Sequence, residues 1–414
     1  MAPPKVITLG CRLNTFESEV MRELGRDAGL EDAIIINTCA VTAEAERQAR
    51  QTIRRARREN PNAKIIVTGC AAQLNPQSFA DMDEVDQVLG NTEKFKPDLL
   101  AGGGQAVQVT DIMTAEETAP HLISGMEGRT RAFVQIQQGC DHRCTYCIIP
   151  FARGPNRSVD ASAILAQVRS LVEGGHREVV LTGVDICSYG TDGAATPNLG
   201  GLVGTLLAAA PDLERLRLST LDPAAIDDDL FQMFAEQPRL MPHLHLSLQA
   251  MDDMVLKRMK RRHDRAVAFA AVARARAARP DAVFGADLIA GFPTESEQMF
   301  ENTLAAVDEL DLAYLHVFPY SPRPGTPAAN MPEVPSSIRK ARAARLRAAG
   351  DAGLKRFLAS RAGTTAQVLV ETDRQGLSQH YATVKLDFDA EPGAIVEARV
   401  TATEGDCLLA SRAA

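Results

Sequence analysis

The chain has 414 residues, of which 45% are hydrophobic and 24% charged, and its formal net charge is −8. That length exceeds one ordinary core and calls for two or three domains of a globular protein. No apolar run reaches the roughly 18 residues of a membrane span, and the opening MAPPKVITLGCRLN lacks the apolar stretch of a secretory leader; a cytoplasmic location with no membrane partner is expected, and nucleic-acid contact is left to local basic patches.

From about residue 4 to 115, short β-branched runs alternate with helical patterns. Strands are predicted at 5–9 (KVITL), 33–37 (AIIIN), 64–68 (KIIVT) and 85–89 (VDQVL), with a helix over 43–60. Such alternation predicts a parallel sheet flanked by helices. The stretch 99–109 (LLAGGGQAVQV) reads as the exit from this unit. From about 130 to 350 the same rhythm returns, with strands predicted at 132–137, 178–181, 215–218, 243–247, 283–288 and 314–318 and helices such as 160–173 and 295–310. About six β/α units predict a partial or full TIM-like barrel. A long Ala/Arg-rich helix, about 336–360, leads out. From 361 on, short alternating strands take over at 365–371, 381–388, 394–402 and 407–412, separated by turn residues such as Gly376 and Pro392-Gly393. This predicts a small all-β barrel of the class that includes oligonucleotide-binding folds. The fold class is therefore α/β with a small all-β end, and the expected domains are 1–115, 126–358 and 359–414.

The eight cysteines lie at 11, 39, 70, 140, 144, 147, 187 and 407. They are too few for a disulfide scaffold, which leaves metals or catalysis for the clustered ones. Cys140, Cys144 and Cys147 form a compact C-x3-C-x2-C trio in QGCDHRCTYC. Closed zinc sites want four protein ligands. His142 is a candidate fourth, though badly placed two residues before Cys144. The other solution is a four-iron cubane held by three thiolates, with one iron open to a non-protein ligand; zinc binding or free thiols remain the alternatives.

The trio, with an aromatic just before its last Cys, resembles the cluster loop of the radical S-adenosylmethionine (SAM) superfamily. The resemblance implies that Cys140, Cys144 and Cys147 ligate a [4Fe-4S] cluster, that SAM fills the open iron, and that Tyr146 lies near the SAM adenine. The loop follows the first expected barrel strand, on the face where barrel active sites sit.

Cys11, Cys39 and Cys70 are far apart in sequence but share a setting, each at the end of a predicted strand: VITLGC, IIINTC and VTGC. Strand C-termini of a parallel sheet share one edge, where ligand sites form. Three thiols meeting there would make a metal site; three separately buried thiols are the alternative. The segments LGCRLNTFESE, NTCAVTAEAERQAR and VTGCAAQ resemble the N-terminal domain of the methylthiotransferases. RAFVQIQQGCDHRCTYCIIPFARGPNRSV, HLSLQ, LKRMKRRH, FPYSPRPGTPA and the C-terminal β-domain of the TRAM type extend the resemblance over nearly the whole chain. It implies a second [4Fe-4S] cluster on Cys11, Cys39 and Cys70, whose open iron holds the sulfur to be transferred, and replacement of an unactivated C–H by C–S–CH3.

Further SAM contacts implied by the resemblance are Gly183 and Asp185 in LTGVDI, where Gly183 would admit close backbone approach and Asp185 would bind the ammonium. Ser219 in STLDP and Gln249 also lie at strand ends, where turn or capping roles are the alternative. GADLIAGFPTE carries the Gly spacing found near the adenine. The chain departs from the family after Gln249: Ala250-Met251 stands where Ser-Gly is usual. GCRLNTFESE and NTCAVT resemble the branch that acts on threonylcarbamoyl-adenosine in tRNA. The rivals are the branch acting on isopentenyladenosine, the branch acting on an aspartate of a ribosomal protein, and a non-enzymatic zinc-binding RNA-binding module. A monomer is expected, served by sulfur and electron donors that the sequence does not name. Three basic runs are candidate phosphate contacts: Arg47, Arg50, Arg54, Arg57 and Arg58; Lys257 to Arg262; and Arg339 to Arg347. The last 54 residues instead hold five Arg or Lys against eight Asp or Glu, a net of −3. RNA binding there would rest on one face or on stacking by Tyr381 and Phe388. Cys187 and Cys407 match no ligand position and read as structural.

Overall fold

The computed structural model describes residues 4–101, 103–116, 122–193 and 197–413. Residues 1–3, which open the first expected domain, and Gly102, in the expected exit 99–109, lie outside the described residues.

The first sheet has five parallel strands in sequence order: Lys5–Thr8, Ala33–Thr38, Lys64–Gly69, Gln87–Leu89 and Val107–Gln108. Every residue of Ala33–Thr38 is buried, as expected of a parallel strand covered on both faces. Alternate side chains serve opposite layers. Ile35 and Ile66 meet Met21 of the helix Arg12–Asp27, while Ile34, Ile36 and Val67 meet Ile53 and Ala56 of the helix Ala43–Glu59. The fourth strand starts two residues later than its sequence pattern predicts. Asp86 is the reason: its carboxylate accepts the Ile65 N–H at 2.7 Å and Arg57 at 2.5 Å, so it ends the turn instead of joining the strand. The fifth strand lies inside the expected exit and is only two residues long, too short for a period of two to show.

The long central strands are all parallel, and Gln137–Gln138 with Arg157–Ser158 adds a short antiparallel pair beyond the first of them. Arg131–Gln135, Glu178–Thr182 and Arg215–Leu218 form one hydrogen-bonded group, and Thr220–Leu221, His243–Gln249, Val283–Ala290 and Leu312–Pro319 form another. A bridge from Leu216 to Leu240 links the first group to the segment that leads into His243–Gln249. The result is an arc of six long-strand units with a continuous core behind it. The exit helix Ser336–Arg361 packs on the last strand, where Gly350 and Gly353 admit Leu315 and the Leu312 carbonyl.

The C-terminal strands close into a barrel of five: Thr365–Thr372, Gln375–Ser378, Thr383–Leu386, Ile395–Glu404 and Cys407–Arg412. Gly376, expected in a turn, is in the strand that the sequence pattern missed, paired with Val370. Four residues reading QGLS carry no β-branched signal.

This barrel docks on the N-terminal ends of the central strands. Arg215 donates to the Leu377 and Gln367 carbonyls at 3.2 and 2.7 Å, and the Tyr314 hydroxyl donates to the His380 carbonyl at 3.1 Å. The Tyr381 ring stacks on His243 at 4.9 Å, its hydroxyl accepts from Arg12 at 3.2 Å, and the Arg131 and Arg217 guanidiniums lie over it. Tyr381 is thus consumed by the interface and is not free to stack a base. Phe388 is covered by Arg412 at 4.8 Å.

Glu178, fully buried, holds this floor together. It accepts from Arg217 Nε at 2.9 Å and faces Arg215 at 3.5 Å. Burial alone would raise its pKa, but Arg217, Arg131 and Arg215 together hold it below the ordinary carboxylate range. Glu178→Ala would leave two buried guanidiniums without their anion. The expected cost is about 3–5 kcal/mol, seen as a lower melting temperature and faster proteolysis between the central and C-terminal barrels; an unchanged melt would contradict this account.

Candidate active site between two cysteine trios

The loop carrying Cys140, Cys144 and Cys147 leaves the first central strand through Gly139. That residue has φ +73°, and a Cβ on it would lie 1.7 Å from the Pro155 carbonyl oxygen, so only glycine fits. Cys140 N–H then donates to the Gly154 carbonyl at 3.0 Å. Thr145 pins the loop tip: its N–H and hydroxyl reach the Met259 and Arg258 carbonyls at 3.0 and 2.8 Å, and its carbonyl accepts from Ala328 at 2.9 Å. Arg261 reaches Cys144 Sγ at 3.7 Å and Asp222 at 3.2 Å. Burial pushes the Cys140 and Cys147 thiols up to about 12, so without a metal these groups stay protonated.

His142 turns to the turn after the second central strand, with Nε2 2.9 Å from Asp185 Oδ2. The donor atoms of Cys140, His142 and Asp185 lie within 4.8 Å of one another, but the imidazole already has the carboxylate as its neighbour. Asp185 also accepts from Ser188 at 2.6 Å and lies 3.7 Å from Arg262. Burial would raise its pKa, but hydrogen bonds from His142 and Ser188 keep it low. The space beside Gly183 is taken by Gln137, whose carbonyl would be 2.8 Å from a Cβ there, and the Gln137 side-chain oxygen accepts the Val184 and Asp185 N–H groups at 2.9 and 2.8 Å. Close approach at Gly183 is therefore to the stem of the loop that carries Cys140, Cys144 and Cys147. Ser219 is buried, with its N–H on the Leu181 carbonyl at 3.0 Å. Gln249 sits at a bulge with φ +65°. Half-buried Tyr146 packs against the group that contains Ala250, Phe292 and Tyr320. Ala250 and Met251 are both buried in core, and Met251 N–H donates to Thr303 at 3.0 Å; the departure from Ser-Gly fills apolar space.

The second trio gathers at the ends of the first three strands of the N-terminal sheet. Gly10 has φ +103°, and a Cβ on it would lie 2.7 Å from Cys39 Cβ and 3.0 Å from its sulfur, so Cys39 rests against the backbone that leads into Cys11. Cys70 opens the helix Cys70–Leu74 directly after the third strand and is close enough for its charge to act on both Cys11 and Cys39. Cys39 and Cys70 are buried, Cys11 is exposed, and all three are free thiols. Burial pushes Cys39 up to about 12.

A buried ion cluster joins the two trios. Arg153 ends the short helix after Cys147. Its Nε donates to Cys70 Sγ at 3.2 Å, its Nη1 to Glu17 at 2.5 Å and Gln138 at 3.1 Å, and its Nη2 to Asn14 at 2.5 Å. Glu17 is one turn and a half beyond Cys11 on the first helix and also accepts from Lys94 at 2.7 Å. Lys94 donates to Asn91 at 2.8 Å, and Asn91 donates to the Ala152 carbonyl at 2.7 Å. Glu17 and Lys94 are fully buried and Arg153 nearly so. Sequence reasoning missed all three, because a charged residue in a helix reads as solvent-facing; the only hint is that Phe16, Val20 and Met21 bury the face on which Glu17 lies.

The basic runs are largely occupied within the molecule. Arg50 donates to the Ser78 carbonyl at 2.9 Å, Arg57 to the Ala63 carbonyl at 2.8 Å, Arg342 to Glu295 at 2.8 Å and Arg345 to Glu301 at 2.7 Å. Arg58, Lys257 and Lys260 remain exposed.

Residues 134–307 match the radical SAM superfamily and residues 4–90 match "Uncharacterized protein family UPF0004". The chain is 49% identical over 400 residues to the threonylcarbamoyladenosine tRNA methylthiotransferase MtaB of Rickettsia prowazekii, covering 97% of this chain and 95% of the relative. It is 35% identical to a tRNA-2-methylthio-N(6)-dimethylallyladenosine synthase of Erythrobacter litoralis, over 95% of this chain and 93% of the relative. The chain belongs to the radical SAM methylthiotransferases. Among solved structures, the radical SAM methyltransferase TsrM of Kitasatospora setae shares the fold, with a TM-score of 0.58 at 14% identity, over 80% of this chain and 77% of that one.

Radical SAM methylthiotransferases use SAM and two [4Fe-4S] clusters, and the donor sets here fit such groups. Each trio offers three unpaired thiols with a guanidinium on one sulfur, Arg261 at Cys144 and Arg153 at Cys70. Two cations, Arg153 and Lys94, face one carboxylate, Glu17. That leaves positive charge beside Cys70 which a thiolate-ligated cluster balances and a protonated thiol does not.

Glu17 is one of the buried carboxylates on which acid stability depends. Burial would raise its pKa, but Arg153 and Lys94 bring it from 4.5 to about 2. The carboxylate therefore contributes about 3 kcal/mol above pH 4.5, lost as pH falls towards 2. Glu17→Gln is expected to lower the melting temperature at pH 7 and to flatten the fall in stability between pH 4.5 and 2, read by circular dichroism.

Proposed function

We propose that the chain methylthiolates C2 of N6-threonylcarbamoyladenosine beside the anticodon of tRNA, in the cytoplasm and as a monomer. In this reading Cys140, Cys144 and Cys147 hold the cluster that binds SAM, and Cys11, Cys39 and Cys70 hold the auxiliary cluster. The assignment also takes 1–115, 126–358 and 359–414 as the methylthiotransferase, radical SAM and TRAM-like domains. When bound, the two clusters and SAM supply a carbon-centred radical and a sulfur atom, which an unactivated C–H requires.

The observation that carries the reading is the Arg153 junction: one side chain touches Cys70 and ends the helix that follows Cys147. Two segments 70 residues apart in sequence (70 and 140) are thereby tied together by one side chain, which supports a reading in which sulfur passes between two neighbouring centres. The 49% identity to a relative named for threonylcarbamoyladenosine, against 35% to one named for dimethylallyladenosine, favours the first nucleoside. Within the site, Arg261 and Arg153 would stabilise thiolate charge, Thr145 fixes the loop, and Tyr146 with the bulge at Gln249 would flank SAM. Gly183 and Asp185 would act through the turn that Gln137 holds, and Ser219 from the neighbouring strand end. Tyr381 closes the floor of the arc to solvent.

Anaerobically reconstituted protein should give a methylthio nucleoside on tRNA that carries the threonylcarbamoyl group, read by nucleoside mass spectrometry; no such product would overturn the proposal. Cys11→Ala and Cys144→Ala should each lower iron from about eight to about four per chain. Only Cys144→Ala should abolish SAM cleavage, and only full-length protein with both trios should form product. Colourless protein with zinc in place of iron would favour the binding-module alternative.

A further inference from the structure

The last central strand, Leu312–Pro319, presents Tyr314, His316 and Phe318 on its inner face, at the alternate positions a strand turns to one side. His316 is exposed over 56% of its side chain, yet it is locked. Its Nδ1 lies 3.0 Å from Asp287 Oδ1 on the neighbouring strand, and its ring lies 4.5 Å from that of His245. His245 Nε2 lies 3.0 Å from the same Asp287 oxygen. Burial would raise the Asp287 pKa, but the two imidazoles hold it far below the ordinary range. An ionised carboxylate only accepts, so the protons sit on His316 Nδ1 and His245 Nε2. His245 Nδ1 is shut in: a Cβ on Gly285 would lie 2.5 Å from it. With Nδ1 on Asp287, Nε2 is the nitrogen that this exposed, fixed ring can offer to a ligand. The carboxylate thus fixes the direction of a ring that is still more than half exposed, an arrangement suited to holding a hydrogen-bond partner at Nε2.

Phe318, two residues nearer the strand end, is 39% exposed. The chain just beyond it meets both cysteine loops. Tyr320 packs in the group that Tyr146 joins, and Ser321 accepts the Ala43 N–H at 3.2 Å, four residues after Cys39. The last central strand therefore leads into a segment that touches the neighbourhoods of both trios.

We propose that this wall is the acceptor-nucleotide pocket, in which Phe318 stacks the purine and His316 Nε2 hydrogen-bonds the polar ureido-carboxylate substituent on N6. The inference rests on the proposed nucleoside substrate and assigns its specificity to one side chain. A hydroxyl or ureido N–H suits the neutral ring and a carboxylate suits the protonated one; an isopentenyl group offers neither.

The test uses reconstituted full-length protein and anticodon stem-loop RNA carrying threonylcarbamoyladenosine, isopentenyladenosine or adenosine at the target position. His316→Ala is expected to raise KM for the threonylcarbamoyl loop about tenfold, with kcat little changed and the Kd for the other two loops unaltered. His316→Gln should recover part of that loss. Phe318→Ala should weaken all three loops alike. Equal losses on all loops with His316→Ala, or none, would overturn the inference while wild-type product on the threonylcarbamoyl loop keeps the proposed function standing. Loss of a stoichiometric non-iron metal in His316→Ala would overturn it in favour of a cation on the two imidazoles and Asp287. Wild type without product on that loop would overturn both.

Discussion

The buried cluster of Arg153, Glu17 and Lys94 is the constraint on which the placement of the two cysteine trios depends. Its members come from three separate stretches of chain, and each is out of contact with water. Charges in that position cannot be satisfied by solvent, so they fix the distance between the first helix and the loop of Cys140, Cys144 and Cys147 far more tightly than apolar packing would. The guanidinium is suited to the task because its planar fork serves a carboxylate, an amide and a sulfur at once. A lysine would offer a single nitrogen in place of the three that Arg153 uses.

The central arc has an interior that is polar where an ordinary barrel is packed with aliphatic side chains. Arg217, Glu178, His243, His245 and Asp287 all belong to its strands. The aliphatic core lies behind the arc, against the helices. Such an interior needs a floor, and the C-terminal barrel provides it through Tyr381 and the backbone carbonyls that Arg215 holds. The acidic C-terminal barrel is thus explained as a docking part whose key aromatic faces inward, and its charge no longer argues for or against RNA contact elsewhere on its surface.

Much of the fold was legible. Runs such as AIIIN and KIIVT announce buried parallel strands, and the six central strands fall where the hydrophobic pattern predicts them. What escaped were elements too short or too poor in β-branched residues to carry a period: Val107–Gln108 and Gln375–Ser378. At the site, the two cysteine trios were legible because thiols are rare and their spacing or strand-end setting stands out. Glu17, Arg153, Lys94, Asp287 and His316 were not, because charged and polar residues are common and only burial or orientation marks them. Within the basic runs, the sequence could not separate Arg50, Arg57 and Arg342, which bind the molecule's own carbonyls and carboxylates, from Arg58, Lys257 and Lys260, which remain exposed.

By itself the sequence determined the family, the order of the α/β, barrel and all-β parts, and the six cysteines worth attention, since residue type and short-range spacing carry that information. The shared sheet edge of Cys11, Cys39 and Cys70 followed from their strand-end setting, but the tertiary structure alone decided that Arg153 ties this edge to the loop of Cys140, Cys144 and Cys147 and that Tyr381 faces inward. Those facts depend on which distant segments meet, and the contacts that decide them, buried ion pairs and stacked rings, leave no periodic trace along the chain.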